Sequence, residues 1–171
     1  MERKNLVKVG CMITYSGIIF NLMKPRKDLI LLEDIAHGLA FNCRWNGHSK
    51  KYYSIAEHSI RGAKKCDTLE EKLNFLFHDA EEAYWSDIIS PIKAVLREHY
   101  PEILNKTEEL RDMIFSKFGI ESIAYKERDY DEAIWEWNNL VMHDENPQTM
   151  SPEEAEKTWL AMANELLAAK A

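Results

Sequence analysis

The chain has 171 residues, 46% of them hydrophobic and 30% charged, which is enough for one domain with a packed core. Its net charge of −7 argues against coating a nucleic acid. Gly and Pro are scarce, which favours helices. The charge is uneven. Residues 1–51 hold nine Lys/Arg against four Asp/Glu, a balance of +5, which leaves −12 for the rest. A basic first third beside acidic clusters suits a small phosphorylated substrate, or else solvated surface lysines. Cys11, Cys43 and Cys66 are odd in number and match no zinc spacing, so reduced thiols in a cytoplasmic protein are expected. The uncharged run Val9 to Met23 is too polar for a signal peptide and too short to span a membrane.

Residues 6–20 mix β-branched and aromatic residues with Gly10 and Gly17, and read as a hairpin or extended arm. Leu32, Ile35, Ala36, Leu39 and Ala40 recur at helical spacing and predict a helix from Leu29 to about Arg44. Asn46-Gly47 marks a turn that carries Arg44, Trp45 and His48. Ser54 and Glu57 form a capping-box pair, and the helix they open carries His58 and ends near Cys66. Thr68 and Glu71 form another, opening a helix expected to run to about Trp85.

That third helix carries Leu76-Phe77-His78-Asp79-Ala80-Glu81-Glu82-Ala83. On a continuous helix His78, Asp79 and Glu82 would lean to one side, next to an apolar stripe. Such a cluster is costly to bury without a compensating charge. A mixed imidazole and carboxylate set suits zinc, manganese, cobalt or iron. A satisfied histidine on an ordinary acidic face fits the same octapeptide.

Beyond it, Ser90-Pro91 reads as N-cap and first helical residue, and Pro101 starts a helix that ends at Gly119. A long helix is expected from about Glu121 to Met142 with Ile123, Ala133, Ile134, Trp137, Leu140 and Val141 inward. Asp144 to Met150 reads as a polar linker, and Ser151-Pro152-Glu153-Glu154 opens a last helix. There Trp159 and Met162 serve equally as core or as a self-association face. The expectation is an all-α chain of about seven helices in one domain over 1–171, with residues 1–25 as an arm packed on it.

His58, Asp87 and Asp129 are the distant groups that can converge on His78-Asp79, but spacing alone does not join them. Resemblance does. Ser54-Ile55-Ala56-Glu57-His58-Ser59, then Phe77-His78-Asp79-Ala80-Glu81-Glu82, then Ser86-Asp87-Ile88 before Pro91-Ile92-Lys93, resemble the HD-domain phosphohydrolase superfamily. Within it the chain is similar to the branch of 5′-deoxynucleotidases and phage deoxynucleoside triphosphate triphosphohydrolases. The stretches Glu33 to Leu39 and Cys43 to His48 carry the likeness to phage members.

The resemblance implies an all-helical HD-domain bundle and a divalent transition metal (Co, Mn, Zn, Fe or Ni) held by His58, His78, Asp79 and Asp129. Asp129 is chosen over Asp131 because Glu136 follows it by seven residues. The resemblance places Glu82 and Asp87 as catalytic carboxylates, and Arg44, Trp45 and, more weakly, His48 at the substrate. It implies hydrolysis at the 5′ phosphoester of a deoxynucleotide, giving a deoxynucleoside with phosphate or triphosphate. The basic first third tilts this towards longer phosphate chains. A second metal recruited by Glu82 and substrate phosphates is compatible with it, as is a homo-oligomer. Membrane and stable nucleic-acid partners are not expected. The alternatives are a non-catalytic nucleotide sensor and a hydrolase of a cyclic or alarmone nucleotide.

Overall fold

The computed structural model describes residues 9–143 and 148–170. Its first element is an antiparallel hairpin, β1 Cys11–Ile13 paired with β2 Ile19–Asn21, with Met12 opposite Phe20. Gly17 takes φ +86° in the connecting turn, a conformation that glycine adopts freely. Tyr15 stacks on His37, and two further contacts anchor the arm. Phe20 is fully buried and stacks on Tyr84, and the Asp34 carboxylate accepts both the Ser16 N–H (2.7 Å) and the Ser16 hydroxyl (2.8 Å). The part of the arm at residues 1–8 lies outside the described residues.

The rest is helical: α1 Leu32–Phe41, α2 Ile55–Ala63, α3 Leu69–Phe77, α4 Glu82–Trp85, α5 Ser90–His99, α6 Pro101–Phe118, α7 Lys126–Glu136 and α8 Pro152–Lys170. This is the expected mostly-helical bundle. The capping signals hold where charge and hydroxyl meet the first turn. Thr68 with Glu71, and Ser151 with Glu154, each exchange both hydrogen bonds. Gly119 closes α6 at φ +65°. Among the described residues no helix is long and apolar enough to cross a membrane.

Four expectations are corrected. First, α1 is shorter at both ends than Leu29 to Arg44: a 3₁₀ turn, Lys27–Leu29, precedes it and Asn42 is already extended. Second, Ser54 accepts the Glu57 N–H, but the Glu57 carboxylate does not reach back; it accepts the Met150 N–H (2.9 Å) and ties the entrance of α8 to α2.

Third, the helix expected to run to Trp85 breaks after Phe77. Two carbonyls at its end are taken by side chains. Phe75 O accepts His78 Nδ1–H (2.6 Å), and Leu76 O accepts Trp159 Nε1–H (3.2 Å). The backbone tightens to three-residue spacing, with Ala80 N–H on Phe77 O and Glu82 N–H on Asp79 O. Trp159 is thereby placed in the core, fully buried, and not on a self-association face.

Fourth, the long helix begins only at Lys126 and passes into a π-helical segment at Trp137–Met142. Of the residues expected inward, Leu140 is buried and Ala133 and Val141 are half-buried, but two are turned outward. Ile134 and Trp137 are exposed, whereas Glu132 and Glu136 are buried. Glu132 accepts from Arg61 (Nε, 2.8 Å) and from Lys65 of α2, so partners from another helix make the acidic face the inner one. Residues 144–147 of the proposed linker lie outside the described residues.

Helices α2 and α3 approach closely at Gly62. A Cβ placed there would sit 2.0 Å from Phe75 Cε1, so only glycine lets the two helices meet. Phe75 is thereby held against the rings of His58 (5.7 Å between centroids) and His78 (4.4 Å).

Candidate metal centre

His58 lies in α2, one turn in from its capping Ser54, and is fully buried. His78 caps the end of α3 and is fully buried. Asp79 follows in the tight turn, and Asp129 sits in the first turn of α7. The structure brings all four together. The two Nε2 atoms face each other at 3.3 Å. Asp79 Oδ2 is 3.0 Å from His78 Nε2 and 4.0 Å from His58 Nε2. Asp129 Oδ1 is 3.1 Å from His58 Nε2 and 3.7 Å from His78 Nε2. His58, His78 and Asp129 each offer one ligand atom, all within 4.8 Å of one another, so this group can hold a metal ion.

The hydrogen bonds on the far side of each ring test that fit. Phe75 O can only accept, so His78 Nδ1 carries a proton. Glu136 Oε1 lies 2.7 Å from His58 Nδ1 and accepts its proton. In the neutral rings both Nε2 atoms therefore bear lone pairs, and these point at each other across 3.3 Å. A cation between them removes the repulsion, and the second ring nitrogens are held as metal-ligating histidines usually are. Without a cation a proton must serve. Burial lowers the affinity of His78 for a proton, but Asp79 and Asp129 outweigh it and push its pKa up to about 10. Burial works against the charge of Asp79 and Asp129 too, yet the histidines hold both well below the ordinary carboxylate range.

Around this cluster the other expected residues divide. Arg44 is mostly buried; its Nε–H donates to Glu136 Oε2 (2.8 Å) and its Nη1 lies 3.7 Å from Asp79 Oδ2. Trp45 donates Nε1–H to the same Glu136 oxygen (2.8 Å) and its backbone N–H to Asp87 Oδ2 (3.2 Å). Trp45 sits at φ +59°, outside the usual range for a bulky residue, so these two bonds hold a strained turn. Asp87 therefore positions Trp45. His48 is exposed and takes no part in the bonds that join Arg44 and Trp45 to the cluster.

Glu82 is buried, with Oε1 3.3 Å from Lys93 Nζ and Oε2 without a partner among the described residues. Burial and the nearby Asp79 raise its pKa well above the ordinary range, against the pull of Lys93. Asp87 is raised as well, by burial, with Arg44 opposing.

Three residues near the cluster have no site role assigned from sequence: Glu136, Lys93 and Tyr125, whose ring lies 5.0 Å from the His78 ring. The seven-residue interval from Asp129 to Glu136 puts both on one helical stripe, which was the available signal for Glu136. Three described residues of the basic first third go different ways. Arg26 pairs with Asp28, Lys27 reaches Ser116, and Arg44 touches the cluster. A cavity of about 740 Å³ shares Phe75 and Tyr125 with the wall behind His78, but the ligand atoms do not line it. The chemistry places the candidate site at the histidines, not in that cavity.

No family model matches the chain. It is similar to the uncharacterized protein YfdR of Escherichia coli (strain K12), 34% identical over 124 residues that cover 71% of this chain and 65% of that protein. It is also similar to an uncharacterized protein of Rhodobacter capsulatus, 36% identical over 116 residues that cover 63% of this chain and 58% of that protein. The chain thus spans less than two thirds of the length of either relative.

Proposed function

We propose that the chain is a divalent-metal-dependent phosphohydrolase that acts on deoxynucleotides at the 5′ phosphoester. The observation that carries this is the pair of buried imidazoles with Nε2 atoms 3.3 Å apart and both Nδ1 atoms committed, flanked by Asp79 and Asp129. His58, His78, Asp79 and Asp129 would hold one transition metal of the Co, Mn, Zn, Fe or Ni group. When bound, such a cation supplies a Lewis acid that polarises a phosphoryl group and makes water more acidic.

The chain's own groups supply the rest. Burial and Asp79 favour the neutral form of Glu82, and its Oε2 has no partner among the described residues, so it can give a proton to the departing 5′ oxygen. Water adds to phosphorus, the P–O5′ bond breaks, the departing oxygen takes the Glu82 proton so that the deoxynucleoside leaves with a restored hydroxyl, and a proton of the added water returns to the Glu82 carboxylate. Lys93, beside Glu82, offers an ammonium to the non-bridging oxygens. Arg44 turns its outer guanidinium edge towards Asp79, where a phosphate would meet it. Trp45 offers a ring face for a base.

The reading covers monophosphates and triphosphates, with phosphate or triphosphate as the product. The test is a panel of deoxynucleoside mono-, di- and triphosphates incubated with several divalent metals, the products separated by ion-exchange chromatography. Cleavage between phosphorus and the 5′ oxygen, abolished by His78→Ala, is expected. Metal-loaded protein that cleaves none of them refutes the proposal.

A further inference from the structure

Glu136 is completely buried on α7, and both of its oxygens are in use. Oε1 accepts the His58 Nδ1 proton at 2.7 Å. Oε2 accepts Arg44 Nε–H and Trp45 Nε1–H, each at 2.8 Å. One carboxylate therefore holds a ring of the metal cluster with one oxygen and a guanidinium and an indole from the 44–45 turn with the other. Those segments are far apart in sequence, and Glu136 hydrogen-bonds to both.

We propose that Glu136 is a positioning residue that couples the two halves of the site: it fixes the His58 tautomer that aims a bare Nε2 at the cation, and it holds Arg44 and Trp45 in register with it. The second half rests on the function proposed above; the first does not. For His58, an acceptor at Nδ1 keeps the ring proton there and leaves Nε2 free to ligate. For Trp45, the indole bond is one of two that hold a left-handed backbone in place. For Arg44, the bond to Nε–H fixes the fork so that Nη1 faces Asp79.

A carboxamide of the same shape cannot do both. Glu136→Gln has one acceptor and one donor. If its NH₂ faces His58, the ring must accept at Nδ1, the proton moves to Nε2 and ligation is blocked. If its NH₂ faces Arg44 and Trp45, donor meets donor and that pair is displaced, while His58 keeps its tautomer. Glu136→Asp keeps two acceptors on a shorter arm.

The experiment uses the full chain with Co²⁺ as the probe, titrated without nucleotide, alongside ¹⁵N spectra of the histidine rings to read the His58 tautomer. Glu136→Ala is expected to weaken Co²⁺ binding by about tenfold or more. Glu136→Gln is expected either to move the His58 proton to Nε2 with the same loss, or to spare Co²⁺ affinity and raise KM for whichever nucleotide is cleaved. Glu136→Asp is expected to recover part of whatever Gln loses. Arg44→Ala, which leaves the His58 bond in place, is expected to keep Co²⁺ affinity within about threefold of the parent.

If folded Glu136→Ala and Glu136→Gln proteins bind Co²⁺ like the parent, with the same ring tautomer and unchanged KM, Glu136 is ordinary packing and the inference is wrong. If the variants lose Co²⁺ while the parent cleaves no nucleotide, the metal half stands and the proposed function falls.

Discussion

Gly62 offers the sharpest test of how the site is built, because the cost of changing it can be worked out. A methyl added there would lie 2.0, 2.5 and 2.7 Å from Cε1, Cζ and Cδ1 of Phe75. Phe75 is buried and packed against the rings of both histidines, so it has no free direction in which to swing. Overpacking costs about 1–3 kcal/mol, and three contacts this short put Gly62→Ala at about 3 kcal/mol. Alanine in mid-helix returns about 1 kcal/mol through propensity. The net loss of about 2 kcal/mol lowers Tm by about 4–8 °C for a chain of this size. Thermal unfolding by circular dichroism measures it, and Co²⁺ titration reports whether the rings are displaced. Adding Phe75→Leu removes the ring edge, so the double variant should be less destabilised than the two single changes together by about 1 kcal/mol. Gly62→Ala with an unchanged or raised Tm would show that α2 and α3 do not meet here, and the placement of both histidines would fall with it.

Two further outcomes concern protons. In the metal-free protein the proton on His78 is held up to a pH of about 10, so a cation must displace it. Apparent Co²⁺ affinity should rise about tenfold per pH unit between about pH 6 and about pH 8, and a flat profile in a titration series would contradict the cluster's electrostatics. Saturating metal should also raise Tm, by an amount corresponding to about 2.7 kcal/mol at a hundredfold excess over Kd. For Glu57, burial pushes the carboxyl up to about 7 from 4.5, against the pull of the Met150 N–H and Arg61. The folded chain thus keeps a proton that the unfolded chain gives up. Its contribution to stability is complete below about pH 4.5 and is lost as pH rises through about 7. The loss is up to about 3 kcal/mol, and about half that once water near the carboxylate is allowed for. Glu57→Gln keeps an acceptor for Met150 and should flatten that part of the urea-unfolding profile; identical profiles for the two proteins would show that Glu57 is not desolvated.

Local chemistry is what the sequence determined by itself. The boxes at Thr68–Glu71 and Ser151–Glu154, the stop at Gly119 and the apolar stripes of α1, α6 and α8 follow from side chains within a turn or two of each other. The resemblance carried by His58, His78-Asp79 and Asp129 named residues that do meet in space. Tertiary structure alone decided which face of α7 is inner. Helical periodicity counts Ile134 and Trp137 as core, whereas Arg44, His58, Arg61 and Lys65 arrive from other segments and turn Glu132 and Glu136 inward instead. The break after Phe77 has the same origin, since the Trp159 indole from α8 takes one of the carbonyls that would have continued the helix. A buried charge or a diverted carbonyl is stable only through its partner. Where that partner lies many residues away, no window of sequence contains the information.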